Sequence, residues 1–511
     1  MAEEKHIVAI DLGTSTIALA VATVNGNDTQ VVFYKEAPSA GIKYSGVQNT
    51  LMACAPLESL VKEAEDALGI KITQAVVGMP KFPVRQETNN GRIDDRGEDT
   101  EITAEDIENL KRFAQENYPL EDDSKEAIYG AVAQSFSVDD TFQVREDEIV
   151  GMASNMLEGN FKIFIGRRKD LRNIDTLLNK ANLSARKKYF TAETTAKVVL
   201  TETEMENGVA LIDLGAGSTS VTIYHEGIMR HYASIPFGGK NVTKDIEREV
   251  LITERLAENI KLAFGACMPD RLLNMSEKVL HIIGSGNDSD KQLSVKYLSE
   301  IITARLEEIL QAILYEIQES GLADKLRSGI VVTGGCAQTA NLGMLIGEMS
   351  GYRVRTGYPD ARISEQGVDG IHETSAATVM GLVKAALEEE AMNCAITVDD
   401  ERIAAAITEE EPAEVIEAVT EKKVEQEAEP EVEQEVETDV EQRIEEFEET
   451  EDSTEEAPEK KPEKKKWKLG EVLWGQAKKI GNRFNSFIDG ITGSDEDEDE
   501  DEYEDEDRDD E

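Results

Sequence analysis

Two stretches of the chain carry side chains that could do chemistry together. In each, an apolar run (7–10 or 209–212) ends in a solitary acid that is soon followed by glycine and hydroxyl residues. The first supplies Asp11, Gly13, Thr14 and Ser15, the second Asp213, Gly215, Gly217 and Ser218. Glycine allows backbone N–H groups to press against an anion, since no Cβ blocks the approach. The hydroxyls of Thr14, Ser15, Ser218 and Thr219 add donors, and carboxylates acting with water suit the octahedral shell of Mg²⁺. A nucleotide's phosphates and their metal match this set. Taken alone, each stretch reads equally well as a plain hairpin with an acid in its turn. Their repetition about 200 residues apart points to two related lobes, each lending a carboxylate and a phosphate loop to one cleft.

The elements that must hold these residues are legible in outline. Residues 5–35 read as a three-stranded meander with a turn at 25–28, followed by a helix over 51–68 and a strand over 74–79. Strands followed by a crossover helix make the class α/β. Texture changes over 85–161, where an acidic loop, a helix capped by Thr103 with Asp106 and β-like segments suggest a small inserted subdomain. After the second hairpin come a turn at 235–241 and helices near 253–264 and 295–317. A strand over 329–333 then runs into the glycine turn Gly334-Gly335, and the last helix, 374–389, keeps one side small at Ala376, Ala377 and Gly381. Glu258 and Lys261, three apart on a predicted helix, read from residues alone as an i,i+3 ion pair.

Charge divides the chain. Of 511 residues, 105 are Asp or Glu and 54 Lys or Arg, giving a net charge of −51. Residues 387–511 hold 48 acids and 14 bases, so −34 of that charge lies in the last quarter. With no basic face to neutralise phosphates, binding to bulk nucleic acid is not expected. Cys54, Cys267, Cys336 and Cys394 have no metal-ligand spacing and read as small core residues in a reducing compartment. No leader or long apolar span is visible, so the protein is expected to be made and kept in the cytoplasm.

Residues 390–463 are too charged and too poor in aromatics to order themselves and are expected to be a disordered linker. Within 464–492, Trp467, Leu473, Trp474, Ile480, Phe484 and Phe487 recur at helical steps with Lys478, Lys479 and Arg483 between them. Such a stripe is the signature of an amphipathic helix lying among anionic lipid headgroups; docking on a protein surface is the alternative. An acidic tail, 493–511, closes the chain.

In its order of elements the chain resembles the superfamily of actin, heat-shock ATPases and sugar kinases, and within it the FtsA family of bacterial cell-division actin homologues. The resemblance rests on 10–15 as first phosphate loop, 210–218 as second, 329–335 with Gln338 as adenosine motif, and the stretches 198–202, 235–239 and 258–261. It implies an actin-like ATPase fold, two lobes around a nucleotide cleft. The first lobe would comprise 1–84 and 162–205 with the subdomain 85–161 inserted, and the second 206–389, with a smaller part at about 240–325. ATP and Mg²⁺ are the implied cofactors. Asp11 and Asp213 would hold the metal through water, the glycines and hydroxyls would cradle phosphates, Glu258 and Lys261 would face the adenosine, and Gly334 and Gly335 would lie under it. Glu193 is the candidate to orient a hydrolytic water, with weak ATPase activity at most. Ala216 departs from the family's middle glycine, and Ala263 stands where a basic residue often stacks on adenine. The implied partners are the C-terminal tail of FtsZ, with Arg305 and Glu308 as candidate contacts, other division proteins, an anionic membrane surface and further copies of the chain in filaments. The implied location is the cytoplasmic face of the inner membrane at the division site. A pilus-assembly adaptor or a soluble ATPase or kinase of the same superfamily are the alternatives.

Overall fold

The computed structural model describes residues 5–397 apart from 26–27, 95, 98–99, 140, 284–289, 361 and 390–391. The linker beyond 397, the amphipathic stretch 464–492 and the acidic tail lie outside the described residues. Strands β1 (Lys5–Leu12), β2 (Thr16–Asn25) and β3 (Asp28–Pro38) form the expected antiparallel meander, with Asp11 opposite Ala18. Helix α1 (Thr50–Leu68) begins where the Asn49 side chain accepts from the Leu51 and Met52 amides, and buries Leu57, Leu60 and Val61 against this sheet. It returns the chain to β4 (Ile70–Ile72) and to β5 (Gln74–Gly78), which runs parallel to β1.

The next segment leaves the first sheet and builds another. Strand β6 (Val84–Ile93), helix α2 (Ala104–Glu116) and strands β7 (Glu126–Val138), β8 (Thr141–Val144) and β9 (Leu157–Arg167) make a four-stranded sheet in the order β8-β7-β9-β6. Thr103 and Asp106 cap α2 reciprocally, and Leu110, Phe136, Leu157 and Phe161 give this unit its own core. Pairing with β6 and β7 along its length keeps β9 in this sheet through Arg167, beyond the boundary at 161 that texture suggests. Helix α3 (Arg168–Lys180), strand β10 (Ser184–Tyr189) and helix α4 (Thr191–Val199) return to the first lobe, with β10 parallel to β5.

The second lobe repeats the opening pattern. Strands β11 (Val209–Leu214) and β12 (Thr219–His225) pair with Asp213 opposite Ser220, and β13 (Ile228–Ile235) completes a meander. Helices α5 (Gly239–Val250), α6 (Glu254–Phe264) and α7 (Val295–Glu319) cover it, and β14 (Gly329–Thr333) and β15 (Val354–Thr356) extend the sheet in parallel to the order β13-β12-β11-β14-β15. Helix α8 (Ala377–Leu387), expected in the second lobe, belongs to the first instead: Val379, Leu382 and Val383 are buried in the first lobe's core, and a Cβ at Gly381 would lie 2.5 Å from the Thr194 carbonyl oxygen of α4. Beyond it, strand β16 (Ala395–Thr397) pairs with β4, and Met392 and Cys394 are buried. Composition assigned these residues to the linker; the apolar residues at 394–396 instead complete the core. Among the described residues no helix is long and apolar enough to cross a membrane.

The inserted sheet leans on β13 of the second lobe. The Gln86 amide nitrogen donates to His231 Nδ1 at 2.8 Å, its oxygen accepts from the Tyr232 amide at 3.0 Å, and Gln134 Nε2 donates to the Met229 carbonyl at 2.9 Å. With Nδ1 accepting, the ring proton sits on the buried Nε2, which has no partner among the described residues. Burial, aided by the Lys162 ammonium, pushes His231 down to about 4. The folded chain then stays neutral at His231 where the unfolded chain, titrating near 6.5, takes up a proton. Stability is complete above pH 6.5 and falls as pH drops towards 4, by at most about 3 kcal/mol from this group. Urea unfolding of His231→Gln should accordingly lose less stability than the wild type between pH 7 and 4.5; identical slopes would contradict this role.

Candidate functional site

The two hairpin loops face each other across a cleft of ≈ 380 Å³. All twelve residues expected to hold the nucleotide line it: Asp11, Gly13, Thr14, Ser15, Asp213, Gly215, Gly217, Ser218, Glu258, Lys261, Gly334 and Gly335. Each carboxylate sits at the penultimate position of a buried strand, so the pleat and the hairpin register aim it. The loops also touch. The hydroxyls of Ser45 and Ser218 are 2.8 Å apart, the Ser45 amide donates to Thr14 Oγ1 at 3.0 Å, and Lys240 Nζ donates to the Thr14 carbonyl at 3.0 Å.

Local geometry accounts for the residue types. Gly334 adopts φ +91°, and a Cβ there would stand 2.6 Å from Asp213 Oδ1, so the glycine turn after β14 is what admits the second carboxylate. The 235–239 turn buttresses the second loop, with the Gly239 amide donating to the Gly215 carbonyl and the Lys240 amide to that of Ala216. Lys261 and Glu258 form an ion pair at 2.8 Å, and Lys261 also donates to Thr243 Oγ1 at 2.9 Å. The pair is therefore anchored to α5 on the cleft wall. Leu262 lines the cleft beside it; Ala263, its neighbour, does not.

Two expected residues are placed elsewhere. Thr219 is fully buried and donates to the Phe237 carbonyl at 2.7 Å, which locks the start of β12 and removes its hydroxyl from the cleft. Glu193 does not line the cleft either. On α4, Thr191 is buried and donates to the Met79 carbonyl at 3.3 Å, and neither it nor Glu193 is among the lining residues. The charge of Glu193 acts instead on Tyr224.

Sequence reasoning missed Lys81, just past β5. Its ammonium donates to Asp213 Oδ2 at 2.5 Å and to Thr378 Oγ1 at 3.0 Å, and both partners of the ion pair are largely withdrawn from solvent. Burial pushes Asp11 up to about 6; Lys81 lowers it, while Asp213 and Glu36 add to the rise. Burial opposes the charge on Lys81, yet Asp213 and Asp11 together raise its pKa above the ordinary lysine value. A lysine after a buried strand carries no sequence signature. Its significance comes only from the carboxylate that the other lobe brings to it.

Chemically, the cleft offers backbone amides and hydroxyls to an extended anion, and two carboxylates to a cation. Among the described residues no three His, Cys, Asp or Glu side chains are grouped to hold a metal directly. A divalent ion would therefore be held by Asp11 and Asp213 together with oxygens from water and ligand, which fits Mg²⁺. Away from the cleft, Arg305 on α7 forks onto Asp245 at 2.5 and 3.1 Å and reaches Glu308 at 2.6 Å, so the two expected partner contacts are neighbours and already paired. The nine expected membrane-contact residues, Trp467 to Phe487, lie outside the described residues.

Gly217 fixes how closely the loops approach. A Cβ there would lie 2.5 Å from Thr14 Oγ1 and 2.7 Å from its methyl carbon. Gly217→Ala should cost about 1–3 kcal/mol by forcing the lobes apart. In chemical denaturation, Thr14→Ala combined with Gly217→Ala should cost less than the two singles summed; strict additivity would mean that the loops are not in contact.

The model of the family described as cell division protein FtsA matches residues 210–381. The chain is 29% identical to cell division protein FtsA of Neisseria meningitidis serogroup B over 395 residues, spanning 76% of this chain and 92% of the relative. Against cell division protein FtsA of Borreliella burgdorferi it is 30% identical over 390 residues, again spanning 76% and 92%. Among solved structures, one described as the PilM-PilN type IV pilus biogenesis complex superposes with a TM-score of 0.52 over 75% of this chain and 99% of that one. At 14% identity this likeness speaks for the fold alone, the actin-like one of two α/β lobes about a cleft. Sequence identity of 30% held over nine-tenths of a relative's length means that the chain belongs to the FtsA family of cell division proteins.

Proposed function

We propose that the chain binds ATP with Mg²⁺ in the cleft and works as a self-associating adaptor that ties the FtsZ ring to the inner membrane and recruits later division proteins. The observation that carries the nucleotide part is the meeting of two Asp–Gly hairpins from different lobes over one cavity. Asp11 and Asp213 would orient the waters of the metal. The amides and hydroxyls of 13–15 and 215–218 would receive the phosphates, while Glu258, Lys261, Gly334 and Gly335 would bound the adenosine. Bound Mg²⁺ would draw negative charge from the phosphate oxygens. With Glu193 outside the cleft lining, the reading is one of nucleotide binding with slow hydrolysis at most.

Attachment to the membrane rests on the residue pattern of 464–492. Burial of each large apolar side chain would stabilise the bound state by about 1.5–3 kcal/mol, before the cost of ordering the segment. Lys478, Lys479 and Arg483 would add about 1 kcal/mol each near anionic lipid. One copy would hold weakly, and many copies in a filament would hold firmly. For FtsZ, the exposed Glu308 and its partner Arg305 offer a paired charge site on α7.

One flotation experiment separates these parts, using phosphatidylglycerol-containing vesicles, Mg·ATP and a labelled peptide of the FtsZ C-terminal tail. The wild type should float with peptide and nucleotide bound. Trp474→Glu with Phe484→Glu should leave the vesicles and keep both ligands, whereas Arg305→Ala should float without peptide. A double variant that still floats at moderate salt would refute the lipid anchor, and retention of peptide by Arg305→Ala would refute the assigned contact.

A further inference from the structure

Lys81 has no task in the nucleotide reading, yet it occupies the most heavily charged point of the cleft. It lies between β5 of the first lobe and β6 of the inserted sheet, and its carbonyl is held by the Tyr232 hydroxyl of β13 at 2.6 Å. Its ammonium joins Asp213 of the second lobe to Thr378 at the start of α8 in the first, so a single side chain clasps the two lobes. The buried Asp213 and the half-buried Asp11 share this one cation. A metal bound at the same carboxylates takes over part of the neutralising work, and the ammonium then needs a new anion within reach.

Lys261 and Glu258 mark the adenosine rim in the nucleotide reading, and Lys81 stands among the residues lining the cleft on the first-lobe side, with Asp11 and Gly78. A polyphosphate laid along the two loops would point its far end towards this group. We propose that Lys81 is a specificity-determining residue of the cleft, its ammonium exchanging Asp213 for terminal phosphate oxygens and thereby favouring a nucleoside triphosphate over the diphosphate. The inference rests on the nucleotide reading above. It differs from a purely structural role for the lysine, which would affect both nucleotides alike.

The test is titration calorimetry with Mg·ADP and with Mg and a non-hydrolysable ATP analogue, on the full chain as wild type, Lys81→Met and Lys81→Arg. The wild type should bind the triphosphate about tenfold more tightly than the diphosphate, the size expected of one charge-assisted contact. Lys81→Met should reduce that ratio to about threefold or less, mainly by weakening the triphosphate, and Lys81→Arg should recover most of it. Thermal unfolding checks that each variant folds. Lys81→Gln, whose amide can still donate to Asp213, replaces the methionine variant if that one does not fold. An unchanged ratio in the neutral variants, or a wild type that binds both nucleotides equally, overturns the role of Lys81 and leaves the nucleotide site standing. A wild type that binds neither nucleotide overturns both.

Discussion

Asp213 is buried and Asp11 half-buried at the ends of strands from two different lobes, both lining one cleft, and that arrangement is costly unless positive charge is supplied. In the chain as folded the charge comes from Lys81, whose ion pair with Asp213 spans the lobes. Removing one partner of such a buried pair typically costs about 3–5 kcal/mol, because the other charge is left without compensation. The carboxylate that Lys81 uses to join the lobes, Asp213, is thus also one that faces the cleft where a cation would bind. A cleft with surplus carboxylate at its centre and amide donors along its walls suits a metal bound together with an anion better than either alone.

Much of this was legible in the sequence because hairpin chemistry is local. The alternation of buried strand, acid, glycine and hydroxyl fixes β1 with β2 and β11 with β12, and it fixes where Asp11 and Asp213 point. The capping residues of α2 and the small face of α8 were equally readable, since each depends on residues a few positions apart. What could not be read were the consequences of tertiary approach. Lys81 becomes a site residue only because β11 brings Asp213 to it. Thr219 looks like a phosphate donor until the 235–239 turn supplies the Phe237 carbonyl that claims its hydroxyl. Whether Glu193 reaches the cleft depends on how α4 packs between the lobes, and it is not among the lining residues.

The inserted sheet adds a second link between the lobes. Gln86 and Gln134 hydrogen-bond to β13, and the Phe190 and Tyr232 rings pack at 5.0 Å beneath them. Tyr232 also holds the backbone of Lys81. The segment that begins the inserted sheet therefore shares its anchor, Tyr232, with the cation of the cleft. This placement follows from the chain order, since only residues 79–83 separate β5 from β6.

The central claim is that both hairpins act on one ligand. It is tested most directly by an experimental structure of the protein with Mg²⁺ and a non-hydrolysable ATP analogue. The account predicts phosphates between residues 13–15 and 215–218, with a metal whose water shell touches Asp11 and Asp213. Nucleotide bound to one lobe only, or density outside this cleft, would contradict it.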